Sequence, residues 1–114
     1  PFKDACCDVL ISGTVLMHLV GYEKAIEESC RVTRRWCVFH TVPALQRRAT
    51  TFLRKTAYGQ DVVEVIFNEG MLYELIAKNG LQIRKVFENI PYNLEDILGE
   101  PTATKTYLCE VIRS

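Results

Sequence analysis

Apolar positions fall in two rhythms along this chain: short unbroken runs, and stretches where they return every three or four residues. The first run is Cys7–Ser12, with Val9, Leu10 and Ile11 side by side. A strand that is apolar on both faces predicts a central, parallel position with helices on either side. Gly13–Gly21 follows as a connector with room for one helical turn. Tyr22–Arg34 predicts the clearest helix, since Tyr22, Ala25, Ile26, Ser29, Cys30 and Thr33 form one stripe. Its acids, Glu23, Glu27 and Glu28, come early, and Arg31, Arg34 and Arg35 come late, an order that suits the helix dipole. Glu27 and Arg31 also form a favourable pair one turn apart. Trp36–Val42 predicts a second strand, with Pro43 expected to stop it. The strand–helix–strand unit should be a right-handed parallel crossover.

The second half continues the alternation less clearly. Ala44–Lys55 reads either as a helix or as a partly ordered cover over a site, and Val62–Phe67 is β-branched and extended. Asn68 suits the N-cap of a helix over Glu69–Asn79, with Met71, Leu72, Leu75 and Ile76 as its apolar face. Gly80 then supplies a left-handed stop. Leu81–Glu88 predicts a strand, Asn89–Thr102 a loop carrying Pro91, Gly99 and Pro101, and Thr104–Ile112 a last strand. No helix separates those two strands, so they should pair antiparallel.

The chain has 114 residues, enough for one domain or part of one. Fourteen basic and fourteen acidic side chains cancel, which argues against bulk electrostatic binding to nucleic acid or to an anionic membrane. No apolar run approaches the roughly 20 residues of a membrane span. The five cysteines are an odd number without a CxxC spacing, and Cys7, Cys37 and Cys109 sit in apolar strands. This usage predicts reduced thiols in an intracellular, cytoplasmic protein and no zinc site.

Local chemistry is sparse. No Walker A, HExxH or EF-hand pattern occurs, and Ile11-Ser12-Gly13 does not make the sharp G-x-S-x-G elbow of a serine hydrolase. Ser12-Gly13-Thr14 ends the first strand, where open α/β sheets place their ligands. A plain strand-to-turn junction is the alternative. His18 lies on an apolar turn and His40 near the end of the second strand; each is either a structural histidine or a group beside a substrate. Arg47, Arg48, Arg54 and Lys55, interleaved with Phe52 and Tyr58, read as a solvated face or as a phosphate contact.

The stretch Pro1–Leu19, with Pro1-Phe2, the strand Cys7–Ser12 and Leu16-Met17-His18-Leu19, resembles the fourth-strand region of class I S-adenosylmethionine (SAM)-dependent methyltransferases. The order of elements after it is similar to the second half of that fold, including a last strand inserted antiparallel. The resemblance implies a single partial domain over residues 1–114. Its expected fold is the second half of a Rossmann-like α/β sheet, with parallel strands and an antiparallel last strand. It also implies SAM as cofactor, with Ser12, Gly13 and Thr14 beside its methionine part and Phe2 against its adenine. His18 and His40 become candidate catalytic bases for methyl transfer to an acceptor, a small molecule in view of the neutral charge. Asn89-Ile90-Pro91-Tyr92 is similar to the NPPY motif of nucleic-acid amino-methyltransferases, but lies at the wrong strand and reads as coincidence.

The glycine-rich loop that grips SAM in this family has no counterpart among the six scattered glycines. The fragment alone is therefore expected to be inactive. Its first strand is expected to expose an apolar edge through which it self-associates or pairs with a missing N-terminal half. A non-catalytic, methyltransferase-like binding module is the alternative, and an unrelated small α/β protein a third.

Overall fold

The computed structural model describes residues 3–13, 15–57, 59–89 and 91–112. Six strands form one mixed sheet: β1 (Cys7–Gly13), β2 (Thr33–Leu45), β3 (Thr51–Ala57), β4 (Gln60–Asn68), β5 (Leu81–Glu88) and β6 (Ala103–Val111). The order is β3-β4-β2-β6-β5, with β1 also beside β2. Helix α1 (Tyr22–Val32) crosses from β1 to the parallel β2, as expected, and α2 (Glu69–Lys78) joins β4 to β5. A 3-10 turn, Leu16–His18, fills the first connector, and a short α3 (Glu95–Leu98) interrupts the expected loop before β6. The last two strands pair antiparallel, with β6 inserted between β5 and β2. The expected α/β architecture is therefore present.

The long strand β2 organises the sheet. One of its edges takes β6 throughout. The other takes β1 as far as His40, opposite Gly13, and then β4 at Ala44 and Leu45. Between these partners the ladder to β6 shifts register, so that His40 and Thr41 together oppose Thr106. Thr41 has φ +59°, a left-handed backbone that a β-branched residue rarely adopts. This is a β-bulge, a device that redirects side chains.

Three boundaries differ from expectation. Pro43 does not stop β2, which runs on to Leu45. It falls after the end of β1 and before the first β4 pair, so on that edge a missing N–H breaks no rung. Helix α1 ends at Val32 because Thr33 turns extended, its hydroxyl donating to the Ser29 carbonyl. Ala44–Lys55 is neither a helix nor a loose cover. Its first residues finish β2, a tight turn follows, and Thr51 opens a hairpin with β4. The turn is held by Glu100, whose buried carboxylate accepts from the backbone N–H groups of Gln46, Arg47 and Arg48. Burial works against ionisation of Glu100, but those backbone bonds outweigh it and hold its carboxyl below the usual range.

The α2 boundaries follow the sequence. Asn68 Oδ1 accepts from the Met71 N–H at 3.0 Å, and Gly80 sits at φ +83°. A Cβ at Gly80 would stand 3.4 Å from the Ile112 carbonyl oxygen, which adds a packing reason to the conformational one. Of the expected apolar face, Leu72 and Ile76 are buried, while Met71 is half exposed.

The main core lies between the sheet and the two long helices. Ile26, Cys30, Cys37, Phe39, Phe67, Leu72, Ile76 and Tyr107 belong to it, with Tyr22 edge-on to Phe67 at 4.9 Å. A smaller core under the hairpin joins Leu45, Ile66 and Leu98 to Leu53, Tyr92 and Leu94.

Candidate active site

Open α/β sheets take their ligands at the carboxyl ends of strands, and here the carboxyl end of β1 lies beside the middle of β2, which runs on to Leu45. Register fixes which groups meet there. Gly13 stands beside His40, and Ser12 beside Phe39. Leu10 is paired with the buried Cys37, which places Leu10 and Ser12 toward the helices and Val9, Ile11 and Gly13 on the opposite face. A Cβ at Gly13 would meet nothing within 4 Å, so the backbone there borders open space. Thr14 and Phe2, the other expected cofactor contacts, lie outside the described residues.

The two histidines meet different partners. His18 is half-buried on the 3-10 turn, and its Nδ1 lies 3.0 Å from the Val63 carbonyl oxygen. A carbonyl only accepts, so Nδ1 carries the proton and His18 ties the turn to β4. His40 is exposed at the bulge, with Nδ1 2.7 Å from Thr106 Oγ1. Thr106 is buried and in turn contacts both ends of the Asn89 amide, at 2.7 Å to Nδ2 and 3.0 Å to Oδ1. The structure therefore brings Gly13, His40, Thr106 and Asn89 into one patch, while His18 bonds the backbone of β4.

Sequence reasoning did not reach Thr106, and it met Asn89 only in the Asn89-Ile90-Pro91-Tyr92 match that read as coincidence. Thr106 is 66 residues from His40, and only the antiparallel insertion of β6 unites them.

Three of the four residues of the basic cluster take internal partners, and Arg54 is exposed. Lys55 pairs with the fully buried Glu64 at 2.9 Å, Arg48 donates to the Leu98 carbonyl, and Arg47 lies 3.7 Å from Glu100. Tyr92 also donates to Glu64, which gives that residue a structural place under the hairpin rather than a nucleobase contact. Glu64 Oε2 has no well-aligned hydrogen bond among the described residues and relies on the Lys55 ammonium. The bond to Glu64, and then the one to Tyr92, hold the Lys55 amine above its ordinary range, while burial and then Glu64 raise the Tyr92 phenol.

A second polar knot secures the N-terminus of α2. Glu69 accepts from Tyr107 at 2.7 Å, Lys105 at 2.8 Å and Gln46 at 2.9 Å. Burial alone would raise the Glu69 carboxyl, but these donors outweigh it and hold it below the usual carboxylate range.

Among the described residues no group of three or more His, Cys, Asp or Glu side chains is placed to hold a metal ion. None of the five cysteines is in a disulfide, and burial pushes the Cys109 thiol up to about 12. No described helix is long and apolar enough to cross a membrane.

No protein-family model matches the sequence, and no curated protein matches it. The fold is similar to that of solved SAM-dependent methyltransferases. One such enzyme from Methanosarcina mazei superposes with TM-score 0.68 at 14% identity, covering 99% of this chain and 63% of that one. Another protein, from Listeria monocytogenes and provisionally classed as an S-adenosylmethionine dependent methyltransferase, superposes with TM-score 0.74 at 14% identity, covering 99% and 65%. The chain thus has the fold of this class and spans less than two thirds of the length of either neighbour.

Proposed function

We propose that this chain is the acceptor-side, C-terminal part of a SAM-dependent methyltransferase domain that acts on a small molecule inside the cell. The observation that carries this reading is the crest itself. Gly13, at the end of a parallel strand, borders open space and lies in register beside an exposed His40. The fold shared with SAM-dependent methyltransferases supports the cofactor. The crest residues suit one wall of a SAM site. Gly13 lets the ligand approach the backbone and Ser12 supplies a hydroxyl, while the contacts that the resemblance implies for Thr14 and Phe2 fall outside the described residues. They do not close the site, because the sequence holds no glycine-rich loop. When bound, SAM supplies an electrophilic methyl group. This chain's residues then align the acceptor with that methyl, the main source of rate in such transfers.

Calorimetric titration of SAM tests the reading. The expected result is no binding by the 114-residue chain alone, and micromolar binding by a longer polypeptide that adds a glycine-rich loop upstream. That polypeptide should also move a labelled methyl group to a small-molecule acceptor. Failure of the longer polypeptide to bind SAM would overturn the proposal.

One observation favours a second reading, a binding module without activity. The free edge of β1 carries Val9 and Ile11, which are 50% and 70% exposed. Such an edge is a template for another strand, from a second copy or from an upstream half. Light scattering that shows a clean monomer at tens of micromolar would count against self-association.

A further inference from the structure

We propose that Thr106 and Asn89 are positioning residues that hold His40 as the Nδ1–H tautomer, leaving its Nε2 bare to take a proton from a hydroxyl-bearing methyl acceptor. The inference rests on the methyltransferase reading and deepens it by naming the acceptor class.

The tautomer follows from counting protons around one oxygen. Thr106 Oγ1 has one proton to donate and lies within hydrogen-bond distance of three atoms: His40 Nδ1, Asn89 Nδ2 and Asn89 Oδ1. Asn89 Oδ1 can only accept, so the hydroxyl proton goes there. Asn89 Nδ2 can only donate. Oγ1 is then left as an acceptor toward His40, and Nδ1 must carry the proton. The opposite assignment sends the hydroxyl proton to His40 and leaves two bare oxygens facing each other 3.0 Å apart. In the neutral ring a protonated Nδ1 means an unprotonated Nε2.

Position agrees with this role. The bulge at His40–Thr41, bought with a left-handed Thr41, points His40 at Thr106, and strained backbone of this kind gathers at functional sites. The Asn89 backbone N–H is bound to the Thr104 carbonyl at 2.9 Å, so the relay has a rigid base. Nε2 has no hydrogen-bond partner among the described residues, and the ring is exposed beside Gly13.

A base of this kind matters most for an acceptor that must shed a proton before it can attack. A hydroxyl is such an acceptor, whereas a neutral amine already offers a lone pair. The hydroxyl proton passes to Nε2, and the electron pair left on oxygen forms the bond to the methyl carbon. The bond from that carbon to the sulfonium breaks, and its pair stays on sulfur. The imidazolium then returns its proton to water, which its exposure permits. General-base assistance contributes about 10²–10⁴-fold, and loss of orientation alone should cost a part of that.

The chain has two histidines, so nitrogen-15 correlation spectra of their rings give a direct test, with His18 as internal control. In buffer alkaline enough to keep imidazoles neutral, His40 should show a proton on Nδ1. Thr106→Val should move it toward Nε2–H, while Thr106→Ser should keep the wild-type pattern. A dispersed amide spectrum shows that each variant is folded. In a complete polypeptide that binds SAM, Thr106→Val should lower kcat about tenfold with an acceptor KM within about twofold, and Thr106→Ser should restore it. An Nε2–H tautomer in the wild type, or a Thr106→Val variant with unchanged tautomer or unchanged kcat, overturns the proposal. Loss of SAM binding by the wild type would instead remove the methyltransferase reading, and the ring spectra would still report on the relay.

Discussion

The two faces of the sheet differ sharply. On the helix face, Cys37, Phe39, Tyr107 and Cys109 are no more than 1% exposed. On the other face, Val9, Ile11 and Phe87 are 50%, 70% and 44% exposed, and Trp36, Val38 and Leu108 are half-buried. Apolar side chains stand on both, although the open face also carries His40, Thr106 and Glu110. What differs is cover, since α1 and α2 both lie on one side. Among the described residues the two long helices lie on one side of the sheet, and only the short α3 packs on the other, through Leu98 against Leu45 and Ile66.

The largest expected effect breaks the packed face. Phe39→Ala should cost about 3–5 kcal/mol in urea unfolding, because the lost ring leaves a cavity between β2 and the helices. A loss below about 1 kcal/mol would mean that the helix face is not the stabilising core.

A smaller effect tests the polar lock beside that core. The Glu69 carboxyl is held below its unfolded value, so its stabilisation is present above about pH 4.3 and is lost as pH falls through the folded value. Glu69→Gln should lower stability at pH 7 by about 1–3 kcal/mol and flatten the stability curve below pH 4.3. Equal acid slopes in the two proteins would mean that Lys105, Tyr107 and Gln46 do not hold an ionised carboxylate.

The smallest effect belongs to the open face. Ile11→Ala should change stability by no more than about 0.5 kcal/mol while that face meets water. A loss above about 1 kcal/mol, growing with protein concentration, would show that a second copy covers it, and would bring the two faces closer to equivalence.

Local signals carried much of the fold. Three apolar residues in a row at Val9–Ile11 read as a parallel strand, but not a central one covered on both faces, since β1 pairs only with β2 and leaves Val9 and Ile11 exposed; Asn68 and Gly80 bounded α2 because cap chemistry acts over three or four residues. Pro43 misled because its effect depends on whether a neighbouring strand needs its N–H, which no window around residue 43 contains. The hairpin at Thr51 was hidden for a related reason. Its preceding turn is held by Glu100, some fifty residues downstream.

The sequence by itself determined the alternation of strands and helices, the antiparallel end of the sheet and the crest at Ser12-Gly13, all set by side-chain periodicity and short-range backbone chemistry. Only the tertiary structure decided what each histidine meets. His18 met a carbonyl from β4, and His40 met a threonine from β6 across a bulge. Such meetings depend on strand order and register, and these come from how the whole sheet buries its apolar area rather than from any one segment.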